Sequence, residues 1–251
     1  MGALSASELR RIRRSRRSPR ITQFDYLHVR RLVEGLAAAL ERLARPGERV
    51  LDVWSGSRPY DDLLPPGAEV VSLDVEGNPY GVADVVSDEF LPFPDASFDG
   101  ALFVQAFDLV PDPPAAVTEL ARVLRPGGWA VVTVPFAWEY DRRGPDRRYT
   151  ARQLASVFEG WEDVEVVENG GRAVAWTTLT ASLAFGAEQR LRGRAGGLAH
   201  APFAVVYALV NAVGLALDAI ERRGGTGSHA LPMNLLLTAR RADRASTRRG
   251  P

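Results

Sequence analysis

Short, almost unbroken apolar runs alternate along this chain with longer stretches in which apolar residues recur every three or four positions. The first kind reads as buried strand, the second as amphipathic helix. Strand-like runs occupy residues 49–53, 69–74, 98–104 and 129–136, with shorter ones at 83–86 and 164–167 and a last one at 231–239. Between them, Tyr26 to Arg45 carries Leu32, Leu36, Ala39, Leu40 and Leu43 on one face and is stopped by Pro46-Gly47. Pro113 to Leu124 follows Asp112 and repeats Val117, Leu120, Ala121 and Leu124 at helical spacing. Another helix starts after Thr150, its N-cap, and runs to about Phe158. Strands alternating with helices predict an α/β fold whose parallel sheet is covered on both faces.

Two regions break this rhythm. Residues 1–22 form a basic arm, with seven arginines between Arg10 and Arg20, and are expected to be flexible. Residues 172–225 form an apolar helical insertion within a domain spanning 23–240; a basic tail, 241–251, follows. The insertion holds Ala173–Phe185 and Ala201–Ile220, joined by the arginine-rich connector 189–194. The second segment has the length of a membrane span, but Asn211 and Asp218 interrupt it. Three readings stand: helices packed on the domain or in a homodimer, an interfacial hairpin resting on a membrane, or a span.

Composition narrows the chemistry. The 251 residues, 46% hydrophobic and 25% charged, suffice for one sizeable core. Zero net charge argues against a nucleic-acid partner for the chain as a whole. The absence of cysteine removes disulfides, thiolate metal sites and cysteine nucleophiles. His28, His200 and His229 lie too far apart for metal-ligand spacing, so no metal site is expected. No apolar signal segment follows the basic start, which predicts a cytoplasmic protein, peripheral on the membrane if 1–20 and 172–222 touch lipid.

The candidate chemistry starts where the first strand ends. Val50-Leu51-Asp52-Val53 runs into Trp54-Ser55-Gly56-Ser57, and the next run ends at Asp74. An acid about 20 residues beyond a glycine turn suits the hydroxyls of a ribose. Trp54 is the oddity, because close backbone approach to a ligand favours glycine there. Its indole either packs under the sheet or fills part of the pocket.

VLDVWSGSRPY, VVSLDVEGNPY, SDEFLPFPDASFDGALFVQAF and DPPAAVTELARVLRPGGWAVVTVPF, in this order and followed by DRRYTARQL, resemble the class I S-adenosylmethionine (SAM)-dependent methyltransferases, and most closely the type 11 methyltransferase domain family. The resemblance covers residues 45–170 and the last strand. It implies a Rossmann-like methyltransferase fold, a mostly parallel seven-stranded sheet with the last strand antiparallel. It implies SAM as cofactor, with Asp52, Trp54, Ser55 and Gly56 at its methionine end and Asp74 and Val75 at its ribose. Asp88 is implied at the adenine, with Asp84 as competitor and Glu89 bordering the ring, and Gln105 near the transferred methyl. Asp52 and Asp74 have the alternative reading of simple loop caps.

The chain departs from this pattern twice. Trp54 replaces the first glycine of the turn, and Phe107-Asp108-Leu109-Val110 replaces a segment that commonly carries a histidine. Asp108, Glu139, Asp141 and Asp146 are then the candidate bases. Tyr140, Arg142, Arg147 and Tyr149 form a candidate substrate loop, with arginine suited to an anionic group. The expected activity is methyl transfer to a small-molecule, glycan or lipid-linked acceptor. The rivals are a catalytically silent binding or scaffold protein, its pocket altered by Trp54, and an RNA methyltransferase guided by the arginine arm.

Overall fold

The computed structural model of the chain describes residues 4–87, 90–139, 146–195, 200–224 and 231–243. Its seven strands are β1 (Arg49–Val53), β2 (Glu69–Asp74), β3 (Val85–Val86), β4 (Phe98–Val104), β5 (Leu124–Pro135), β6 (Glu162–Asn169) and β7 (Asn234–Arg240). They form one sheet in the order β3-β2-β1-β4-β5-β7-β6. β1 pairs in parallel with β2 and β4, and β4 with β5, whereas β7 lies antiparallel between β5 and β6. The strand order reverses between β1 and β4, and open α/β sheets of this kind bind ligands outside the carboxyl ends of the strands at that reversal.

Both faces of the sheet are covered, which is why its central strands read as continuous apolar runs. On one face, α2 (Tyr26–Leu43) lays Leu32, Leu36 and Leu40 on Val50, Leu102 and Val131. On the other, α3 (Pro113–Val123) and α4 (Ala151–Val157) set Val117, Leu120 and Leu154 against Leu51, Phe103 and Val132. The Asp112 side chain accepts from the Ala115 N–H at the start of α3, and Thr150 with Gln153 forms a capping box on α4. For α2, α3 and α4 the predicted helix ends and the observed ones differ by no more than two residues.

The basic arm is not the loose tail that its charge suggests. Residues Ala6–Arg17 form a helix, α1, opened by a reciprocal Ser5–Glu8 capping box. Its arginines reach distant partners: Arg13 Nε donates to the Ser57 carbonyl at 2.6 Å, Arg16 pairs with Asp25 at 3.2 Å and Arg17 with Asp62 at 2.9 Å. The insertion is a helical hairpin, α5 (Arg172–Ala195) and α6 (His200–Arg223), between β6 and β7. Residues 189–194, expected as a connector, continue α5; glutamine, arginine and leucine are good helix formers.

Candidate active site

β1 buries Leu51 and Val53 and ends in a turn of left-handed residues: Trp54 at φ 52°, Gly56 at 57° and Arg58 at 54°. The Ser55 N–H donates to the Leu73 carbonyl at 3.1 Å, and the Gly56 N–H to Asp74 Oδ2 at 2.8 Å. The turn is thus pinned to the end of β2. A left-handed backbone costs a non-glycine residue about 1–2 kcal/mol. At Trp54 this is offset by edge-to-face contacts with Phe103 at 5.4 Å and Phe90 at 6.2 Å between ring centroids. Such aromatic pairs contribute about 0.5–1.5 kcal/mol each beyond area burial. The indole therefore joins the aromatic cluster on the α3/α4 face of the sheet and forms only one wall of the cleft above the turn.

That cleft, about 400 Å³, opens beyond the carboxyl ends of β1, β4 and β5. Of the residues expected from the sequence, it brings together Asp52, Trp54, Ser55, Gly56, Gln105, Asp108 and Glu139, with Asp146 at its edge. Others lie elsewhere. Asp74 and Val75 do not line it: the Asp74 carboxylate accepts from the N–H groups of Gly56 and Val75 and from Asn78 Nδ2. Tyr149 is not a substrate-loop residue but is buried in the core beside Phe107. Arg147 does not face the cleft either; its guanidinium donates to the carbonyls of Val110 and Pro111. Asp88, Glu89, Tyr140, Asp141 and Arg142 lie outside the described residues.

The cleft also contains residues the sequence reading passed over: Arg16, His28, Tyr60, Tyr80, Trp138 and Arg148. His28 had a legible signal. It stands four residues before Leu32 and eight before Leu36, on the apolar stripe of α2, where a polar side chain is out of place unless it is used. Arg148 had none, since nothing local distinguishes it from Arg147.

Burial governs the electrostatics. Desolvation raises Asp52 to about 8; Asp61 and Asp74 add to the rise and Arg58 opposes it. Asp108 is raised to about 6, again chiefly by desolvation, with Arg148 opposing from 3.8 Å. His28 is lowered to about 3 by burial and by Arg16, so it is neutral at physiological pH. Of the eight buried side-chain atoms among the described residues that have no hydrogen-bond partner within the protein, three are Ser55 Oγ, Asp108 Oδ1 and His28 Nδ1. All three belong to residues lining the same cleft, and buried polar groups are seldom left unpaired unless a ligand or water completes them.

These features fit the methionine end of SAM. A buried carboxylate without close cationic compensation and an unpaired serine hydroxyl suit an ammonium and a carboxylate group. At the ribose end Asp74 Oδ2 already accepts from the Gly56 N–H and Asn78 Nδ2 and Oδ1 from the Val75 N–H, so a ribose hydroxyl would share the carboxylate with these donors or replace one of them. Hydrogen bonds traded one for one change little in net free energy.

Sheet order defines the class: a Rossmann-like methyltransferase fold, here with a cleft at the strand reversal. Residues 59–132 match the methyltransferase domain family. The demethylmenaquinone methyltransferase of Beutenbergia cavernae is 41% identical over 106 residues, covering 38% of this chain and 44% of the relative. That of Renibacterium salmoninarum is 36% identical over 145 residues, covering 51% and 56%. The chain thus spans about half the length of these curated relatives. Among solved structures, the [4+2]-cyclase SpnF superposes with a TM-score of 0.54 at 22% identity over 84% of this chain and 81% of that one, a likeness of fold alone.

Proposed function

We propose that the chain is a SAM-dependent methyltransferase acting on a small-molecule, glycan or lipid-linked acceptor. The observation that carries this reading is the convergence of the buried Asp52 with the buried, unpaired Ser55 Oγ and Asp108 Oδ1 on one cleft at the strand reversal. The cofactor supplies an electrophilic sulfonium methyl, and the protein supplies alignment and proton handling. Asp52, Ser55 and Gly56 would hold its methionine end, Asp74 its ribose, and Gln105 the region of the methyl. The Gln105 backbone, at φ 56°, is anchored by its N–H on the Thr133 carbonyl at 2.9 Å.

Asp108 is the base that the site favours. With its pKa near 6 it is mostly ionised at neutral pH yet basic enough to take a proton from an acceptor hydroxyl. His28, lowered to about 3, is too weak a base for that role and serves as a neutral hydrogen-bonding contact for the acceptor. Arg148 braces this wall: it pairs with Asp146 and donates to the Glu139 carbonyl at 3.0 Å. The acceptors named for the demethylmenaquinone relatives, and for a malonyl-[acyl-carrier protein] O-methyltransferase 35% identical over 114 residues, support a small-molecule or carrier-bound acceptor.

The test is incubation with methyl-labelled SAM and cell-extract fractions, soluble and membrane. The account expects label in an extractable product of one fraction, lost in Asp108→Asn. A preparation that binds the cofactor yet labels nothing would contradict it.

A further inference from the structure

The helix α6 is turned inside out relative to a helix that faces water. Its buried side carries Tyr207, Asn211, Gly214 and Asp218. Each polar residue there has a partner inside the protein, although the buried Asn211 Oδ1 has none. The Tyr207 hydroxyl donates to Glu188 Oε2 at 2.6 Å, Asn211 Nδ2 donates to the carbonyls of Ile21 and Gln23 at 2.8 Å each, and Asp218 pairs with Arg31 and Arg222. The opposite side, Val205, Val206, Leu209, Val213, Leu217 and Ile220, is exposed; Leu209 and Ile220 are each 64% accessible. α5 adds Trp176, Leu179 and Leu183, the last 78% accessible. Soluble monomers rarely leave so many large apolar side chains on adjacent helices uncovered.

Charge identifies what covers them. At the tip of the hairpin, Arg192 and His200 line a basin of about 990 Å³ together with Arg10, Arg11 and Arg14 of α1 and Arg20. Among the described residues no carboxylate lines it, although Arg192 and His200 each pair with Glu188 beside it, leaving the four arginines of the arm as its uncompensated charge. The apolar outer face of the hairpin and the arginine basin at its tip supply what acyl chains and phosphates, the two layers of an anionic bilayer surface, would each bind. A nucleic acid would use the arginines but not the aliphatic face. Asn211 and Asp218 tie α6 to Ile21, Gln23 and Arg31 of the domain, and Tyr207 and Glu221 tie it to α5, so the docking expected of it is flat on the surface and not across it.

We propose that the outer face of α5 and α6, with the arginine basin, docks the protein on a membrane bearing anionic phospholipids. An intermediate cavity of about 320 Å³ lies between this basin and the cleft, sharing Arg16 and Tyr80 with the cleft and Arg192 and His200 with the basin. The docking surface does not depend on the methyl-transfer reading, and its test needs no activity.

The full chain is sedimented with vesicles of phosphatidylcholine alone or mixed with phosphatidylglycerol, at low and high salt. Binding at least tenfold tighter to the mixed vesicles and weakened by salt is expected. Leu209→Glu should cut that binding at least tenfold, and each of Arg10→Ala and Arg14→Ala about fivefold. The melting temperatures of these variants should not change, because the side chains touch little else. Vesicle addition should blue-shift tryptophan fluorescence, and Trp176→Phe should remove most of the shift. Equal or absent binding to both vesicles would overturn the proposal. So would binding that Leu209→Glu leaves intact, or a solution dimer that Leu209→Glu splits while vesicles are ignored.

Discussion

Asp108 and Asp52 are raised by the same cause, desolvation, but to different consequence. Asp108, near 6, is placed to exchange a proton at physiological pH. Turnover should therefore rise with pH through about 6 as its carboxylate forms, and Asp108→Asn should lower kcat roughly 10²–10⁴-fold and abolish that limb of the profile. Asp52, near 8, is a stability liability in the free protein. Its folded-state pKa lies above the unfolded one, so the folded form holds the proton more tightly. The stability this contributes is complete below about pH 4 and drains away as pH rises through about 8. Asp52→Asn should be more stable than the parent in chemical denaturation, by a gap that widens from acid to about pH 8 and is constant beyond, while losing SAM affinity. Trp54 separates the enzyme from the silent scaffold. Because its ring rests on Phe90 and Phe103, Trp54→Gly should leave SAM affinity within a few-fold and lower stability by about 1–2 kcal/mol, packing lost outweighing strain relieved. A gain of tenfold or more in affinity would favour the plugged pocket.

Elements were legible where hydrophobic periodicity recorded them. The sheet strands and α2, α3 and α4 bury apolar stripes, and their sequences show it. α1 buries no residue and is held by arginines bonded to Ser57, Asp25 and Asp62, contacts between positions far apart in sequence. Periodicity is blind to such a helix. α6 was legible as apolar but not as inverted, since only its neighbours decide which side is inside. Gly214 marks that inside face: an added Cβ would lie 2.6 Å from Leu27 Cδ1. Gly214→Leu should pry α6 from α5 and α2 and cost about 1–3 kcal/mol or more, read as a lowered Tm. Leu209→Glu on the outer side should stay within about 0.5 kcal/mol.

At the scale of the whole molecule, the turn after β1 was readable because a strand, a glycine turn and an acid are consecutive in the chain, and the seven-stranded sheet with its antiparallel last strand followed from the family resemblance. The acceptor side was not. Arg16 comes from α1, His28 from α2, Tyr80 from the segment after β2 and Arg148 from the segment before α4, and only the fold brings them to one cleft. The central claim is that this cleft, with Asp74 behind it, is a SAM site. Calorimetric titration with SAM and with S-adenosylhomocysteine tests it most directly. The account predicts saturable one-to-one binding well below millimolar, weakened at least tenfold by Asp74→Ala in a protein whose circular dichroism is unchanged. No heat of binding from either compound at millimolar concentration would contradict it.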